Sequence, residues 1–228
     1  MVLENLKKLM CKSEFDNDRY MNRTVNSERK VLVFDMDGTL YQLDGENNGF
    51  QNSSLQRAVV KNALKFIVKY ENCQIGEAQQ IYDQSVQDKI GPSSFLAYRY
   101  EITRDQYFNK VWNINPEGIV KNCDQTKVFL SRLKTRRSTL KFILLTSAPK
   151  IWANSLLRYI GIADLFEQIF TGEMFGVKDE VFDNLAVLYP TQNICSIGDQ
   201  LETDILPAQK RGMKTFFVDN PKDLKKLL

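Results

Sequence analysis

The sequence predicts an α/β fold: a parallel sheet with helices on both faces, interrupted after its first strand by an all-α insertion. Three observations lead there. Val31-Leu32-Val33-Phe34 is a short apolar run that ends abruptly in Asp35-Met36-Asp37-Gly38-Thr39, as a buried strand entering a turn does. Residues 52–135 carry helix caps and helical apolar spacing, with no strand pattern of comparable strength. From Leu140 onward apolar strands and helices alternate, which implies right-handed crossovers and a parallel sheet.

In chain order, residues 1–29 are polar with one amphipathic piece, Val2-Leu3-Leu6-Leu9-Met10. That piece reads as a helix docking on the domain or a partner, or as a frayed extension. Ser53-Ser54 caps a helix running to about Tyr70. Gly76 to Ile90 is a second, with Ile81, Tyr82, Val86 and Ile90 at helical spacing. Gly91-Pro92-Ser93-Ser94 breaks it and caps a third, Phe95 to Tyr100. Thr103-Arg104-Asp105-Gln106 has capping-box spacing and opens a fourth. Asn113-Ile114-Asn115-Pro116 interrupts, and Asp124 starts a fifth that reaches Lys134. Strands are then expected at Leu140–Leu145, Gln168–Thr171, Asn193–Ile197 and Lys214–Val218. Helices are expected at Pro149–Tyr159, Phe182–Tyr189, Leu206–Arg211 and Asp223–Leu228. The expected organisation is an N-terminal extension (1–29), an α/β core (30–41 and 136–228) and a helical domain (42–135).

Composition narrows the chemistry. The chain of 228 residues is 43% hydrophobic, enough for a core and too much for disorder. Its net charge of +3, without a long basic run, does not suggest nucleic acid as a partner. No apolar run approaches the roughly 20 residues that span a bilayer, so no membrane is expected. The charged residues 1–30 do not form a secretory signal, and the expected location is the cytoplasm. Cys11, Cys73, Cys123 and Cys195 lie far apart and read as reduced thiols. There is no histidine. That removes Ser-His-Asp and Cys-His catalysis and nearly all His-ligated metal sites. Carboxylates, lysine, hydroxyls and a hard cation remain, and Mg²⁺ suits oxygen donors.

The chemically distinctive segments all fall at strand ends, where parallel sheets bind ligands. Asp35 and Asp37 repel each other unless a cation lies between them. Gly38 frees the turn, so that backbone N–H groups can converge on an anion. Thr146-Ser147 follows Leu144-Leu145; such a hydroxyl can hold a phosphate oxygen or merely cap a helix. Lys178 ends the loop that begins at Gly172, between a strand and a helix, where it can balance several carboxylates. Ile194-Cys195-Ser196-Ile197 ends in Gly198-Asp199, and Asp204 follows five residues on.

The order DxDGT, Thr, Lys, GDxxxxD resembles the four motifs of the haloacid dehalogenase superfamily of phosphohydrolases. The resemblance covers about residues 30–220, including Asp204-Ile205-Leu206-Pro207-Ala208-Gln209-Lys210-Arg211-Gly212-Met213. It implies a Rossmann-like core, and the helical insertion is similar to that family's type 1 cap. It implies Asp35 as the nucleophile forming an aspartyl-phosphate, and Asp37 as general acid and then base. Asp37, Gly38, Thr146, Ser147 and Lys178 would bind the phosphoryl group. Asp35, Asp199 and the Asp37 backbone carbonyl would hold Mg²⁺, with Asp204 orienting Lys178 or a metal-bound water. The family often has Pro after the lysine; Asp179 stands here, which leaves Lys150 as the alternative. Dehalogenases and phosphonatases of the family lack the second carboxylate, so Asp37 argues against both. Leu40-Tyr41 and the segment from Tyr107-Phe108 to Asn115-Pro116-Glu117 are similar to pyrimidine 5′-nucleotidases.

The implied activity is a Mg²⁺-dependent phosphatase for a small phosphorylated metabolite, such as a nucleotide 5′-monophosphate. Arg99 and Arg104 are the expected readers of the leaving group. Two alternatives stand beside it: a catalytically idle module that binds a protein partner, through residues 1–29, and a sugar-phosphate mutase, whose usual cap histidine is absent.

Overall fold

A computed structural model describes residues 29–228; the expectations for the N-terminal extension, the amphipathic piece Val2–Met10 among them, lie outside the described residues. Strand β1 (Val31–Phe34) is followed by five helices: α1 (Ser54–Glu71), α2 (Ile75–Gln87), α3 (Gly91–Arg99), α4 (Arg104–Val111) and α5 (Asp124–Arg136). Then come β2 (Lys141–Leu145), α6 (Lys150–Ile160), β3 (Gln168–Phe170), α7 (Lys178–Leu188), β4 (Ile194–Gly198), α8 (Leu206–Lys210) and β5 (Lys214–Phe217). The sheet is parallel, in the order β3-β2-β1-β4-β5. The chain winds outward from β1 through β2 to β3, then returns to the other side of β1 for β4. The carboxyl ends of β1 and β4 therefore flank the reversal, where a crevice opens in such sheets.

Alternation along the strands sorts the core into two faces. Val31, Val33, Ile143, Leu145 and Ile194 pack with Val181, Phe182 and Leu185 of α7 and Ala208 of α8. On the other face the Phe34 ring meets Phe142 and Phe166 edge-on at 5.2 and 5.9 Å. All five residues of β2 are buried, Lys141 included. Its Nζ donates to the Tyr189 hydroxyl at 2.8 Å, which spares it the cost of burial without a partner.

Two compact units result. One holds the described residues up to Gln42 with Asn122–Ala148 and Ile160–Leu228; the other holds Leu43–Lys121 and Pro149–Tyr159. Two helices therefore group otherwise than the sequence suggested. Helix α5 belongs with the sheet: Thr126 Oγ1 donates to the Leu40 carbonyl at 2.8 Å and Lys134 Nζ to that of Leu140 at 2.6 Å. Helix α6 groups with the helical unit.

Within the helical unit, Ser53 accepts the Gln56 N–H at 3.0 Å and caps α1. The Thr103–Gln106 capping box opens α4. Helix α3 begins at Gly91, four residues earlier than expected, because Pro92 in a first turn gives up an N–H that would have no partner. Helix α7 begins at Lys178, four residues earlier than expected. The chain ends in a 3₁₀ turn, Pro221–Leu227, instead of an α-helix. Among the described residues Cys73, Cys123 and Cys195 are free thiols. No helix there is long and apolar enough to cross a membrane.

Candidate active site

Asp35 continues β1 by one residue, its N–H donating to the Ile197 carbonyl of β4 at 2.8 Å. Its carboxylate is buried and accepts from Lys178 Nζ at 2.5 Å on Oδ1. Thr39 Oγ1 lies 3.3 Å from both Asp35 Oδ2 and Asp199 Oδ1, bridging the turn after β1 to the turn after β4. Gly38 makes that approach possible. Its φ is +84°, and a Cβ there would lie 2.1 Å from Asp199 Oδ2. Gly198 does the same for Asp204, whose Oδ2 would lie 2.2 Å from a Cβ at that position. Asp204 is then fixed by the Gln200 N–H at 3.1 Å and by Lys178 Nζ at 2.7 Å, while Ser196 Oγ donates to its backbone carbonyl at 2.8 Å.

Lys178 is the first residue of α7 and is buried. A cation at a helix N-terminus opposes the helix dipole; here the two buried carboxylates offset that cost. One oxygen from each of Asp35, Asp199 and Asp204 lies within 4.8 Å of the others. Three carboxylates face one ammonium, an excess of negative charge built from hard oxygen donors, which is the donor set that suits Mg²⁺.

The remaining sequence candidates divide. Asp37 is half-buried, and its Oδ1 accepts from the Tyr41 hydroxyl. Thr146 is buried at the end of β2, its N–H donating to the Phe170 carbonyl at 3.0 Å and its Oγ1 accepting from Ala148 N–H at 3.1 Å. Ser147 is exposed, and its carbonyl packs so close to Gly172 that a Cβ there would lie 2.2 Å away. Arg99 and Arg104 belong to the helical unit. There Arg99 pairs with Glu71 at 2.7 Å and Arg104 lies over the Phe108 ring at 5.3 Å. Lys150 opens α6, also in the helical unit, and is exposed. Lys178, not Lys150, joins Asp35.

The sequence model of the haloacid dehalogenase-like hydrolase family matches residues 29–212. This chain belongs to the haloacid dehalogenase-like hydrolases. No curated protein sequence matches this hydrolase. Among solved structures it is similar to a 2-haloacid dehalogenase from Pseudomonas syringae pv. tomato DC3000, at 16% identity and a TM-score of 0.55, covering 87% of this chain and 97% of that one. It is also similar to a family enzyme from Bacteroides thetaiotaomicron solved with magnesium and inorganic phosphate. That pair shares 18% identity and a TM-score of 0.47 over 83% of this chain and 93% of the other. At such identities the likeness is one of fold.

The buried charges of this hydrolase lie close enough to shift one another. Burial pushes the Asp199 carboxyl up to about 7, and the negative charges of Asp35 and Asp204 add to it. Asp204 is pushed up to about 6 by burial and by Asp35, against the pull of Lys178. Burial works against the Lys178 ammonium, but Asp35 and Asp204 overcome it and hold the amine above the usual lysine range.

Sequence reasoning missed several members of this cluster. Thr39 stood in the first motif, and its hydroxyl was legible as a turn residue only. Tyr41 stands four residues from Asp37, and nothing in the spacing says that it reaches back. Ser196 looked like any residue inside a strand. Thr171 follows β3 at 1% exposure, and its Oγ1 has no hydrogen-bond partner among the described residues.

Proposed function

We propose that this hydrolase is a phosphatase that cleaves a small phosphomonoester through an aspartyl-phosphate on Asp35. The observation that carries the reading is the buried Asp35 carboxylate at the β1 end, held by Lys178 and Thr39 with Asp199 beside it. Asp35 attacks phosphorus and forms an acyl-phosphate bond as the ester P–O bond breaks. Asp37, protonated, gives its proton to the leaving oxygen. As a carboxylate it then takes a proton from water, which attacks phosphorus; the Asp35–phosphorus bond breaks and orthophosphate leaves. Tyr41 fixes the direction of the Asp37 carboxylate. Lys178, Thr146, Ser147 and the backbone of Asp37 and Gly38 hold the phosphoryl oxygens. Asp35, Asp199 and the Asp37 carbonyl would hold Mg²⁺, which when bound would neutralise phosphoryl charge. Asp204 positions Lys178.

Helices α1 to α4, between β1 and α5, serve as the cap that selects the substrate, with nucleotide 5′-monophosphates as the narrower expectation. Widely spaced free thiols suit a cytoplasmic enzyme. An idle module would not need a complete carboxylate set, and this chain keeps all four acids.

A screen of nucleotides, sugar phosphates and phosphoglycolate with Mg²⁺ tests the reading. Phosphate release from at least one is expected, with acid quench trapping phosphate on Asp35 and Asp35→Asn reducing turnover to background. Normal turnover by Asp35→Asn would end the covalent mechanism.

A further inference from the structure

The helical unit contains a groove of about 540 Å³ formed by α1 and α4, lined by Asn62, Lys65, Phe66, Lys69 and Tyr70 of α1 and Lys110 of α4. Two stripes run along α1 at four-residue spacing: Lys61, Lys65, Lys69, and beside it Asn62, Phe66, Tyr70. Residues four apart are neighbours on one helix face, so a row of ammonium groups borders the amide of Asn62 and the rings of Phe66 and Tyr70. Asn62 Nδ2 donates to the Val111 carbonyl at 3.0 Å and fixes α1 against the end of α4 that carries Lys110. Phe66 forms the buried base, with its ring 4.5 Å from Tyr70 and 5.6 Å from Tyr107. Tyr70 keeps 47% of its surface exposed.

The charge of this groove is uncompensated. No carboxylate lines it. Arg99 has Glu71 at 2.7 Å and Arg57 has Asp44 at 3.3 Å, whereas Lys65, Lys69 and Lys110 have no hydrogen-bond or ion-pair partner among the described residues. Like charges four apart weaken a helix, so the stripe opposes α1 stability unless an anion neutralises it. Lysine acts on phosphate as a compact point charge, a half-exposed tyrosine ring can stack on a base, and the volume falls in the small-ligand range. We propose that the groove binds a nucleoside polyphosphate, with its phosphates on Lys65, Lys69 and Lys110 and its base on Tyr70. None of these residues belongs to the strand-end cluster, so the inference does not rest on the phosphatase reading.

The test is calorimetric titration of ATP into the full chain carrying Asp35→Asn, in EDTA, so that binding is read without turnover. Saturable binding is expected, weakened at least tenfold by Lys65→Gln with Lys69→Gln, and severalfold by raising salt, which screens exposed charges. Tripolyphosphate should bind at least tenfold more weakly than ATP, and Tyr70→Ala should erase that difference. In the chain with native Asp35, the double lysine substitution should leave hydrolysis of a small aryl phosphate within about twofold. That equals about 0.4 kcal/mol of barrier. Absence of ATP binding, or binding that the double substitution leaves unchanged, would overturn the proposal. Equal affinity for tripolyphosphate would overturn the role of Tyr70.

Discussion

At Gly38 one methyl group would meet the Asp199 carboxylate, on a backbone at φ +84°. The left-handed conformation alone costs an L residue roughly 1–2 kcal/mol, and the collision adds to it. Gly38→Ala is expected to lower unfolding free energy by at least ~1 kcal/mol and to push the β1 and β4 turns apart. Denaturant melts and phosphate release check both, and unchanged stability with full turnover would sink the account. Asp37→Asn removes the proposed proton donor and keeps the side chain's size. A fall in kcat of about 10²–10⁴-fold is expected, least severe for substrates with good leaving groups such as nitrophenyl phosphate. An equal loss for every leaving group would show that Asp37 does not protonate the leaving oxygen.

Two predictions belong to elements. Helix α1 depends on a fully buried Ser53, which accepts from Gln56 N–H and donates to the Phe50 carbonyl at 2.6 Å. Ser53→Ala should cost about 1–2 kcal/mol, read by chemical denaturation; a change below a few tenths would show that the cap is dispensable. Helix α7 begins on a buried lysine that stays there only because Asp35 and Asp204 face it. Lys178→Met leaves those carboxylates without a cation. About 3–5 kcal/mol of stability should be lost, most at high pH and less as Asp204, freed from the downward pull of Lys178, takes up a proton. Added Mg²⁺ should restore part of it. A loss independent of pH would assign the effect to packing alone.

For the whole molecule the prediction concerns metal and pH together. Burial and neighbouring charge raise Asp199 from 3.8 to about 7. Between those values the folded metal-free protein binds more protons than the unfolded chain, so its stability falls as pH rises from about 4 to 7. With Asp199 as a ligand, as proposed above, bound Mg²⁺ would remove that penalty, and protons would compete with it. The rise in melting temperature on adding Mg²⁺ should therefore be larger at pH 8 than at pH 5.5. At a concentration of 100 Kd it should reach about 5–10 °C at the higher pH. Differential scanning fluorimetry in EDTA and in Mg²⁺ checks this; an equal shift at both pH values would mean that Asp199 does not titrate against the metal.

The sequence determined the elements and the chemistry they carry. Apolar runs that stop at Asp35, Thr146 and Asp199 announce strand ends, because a buried strand can leave the core only where polar groups begin. The absence of histidine confined the chemistry to carboxylates, lysine and a hard cation. The tertiary structure decided which of these groups meet. Lys178 and Asp35 are 143 positions apart in the chain, and only the sheet order and the early start of α7 bring them together. Tyr41 on Asp37, Thr39 between Asp35 and Asp199, and Ser196 on the Asp204 carbonyl are contacts of side-chain direction, which linear spacing does not encode. The same holds for α5, whose Thr126 and Lys134 need acceptors that linear spacing does not name; the Leu40 and Leu140 carbonyls supply them. Local sequence specifies what a segment can bury or bond, and only packing specifies against what.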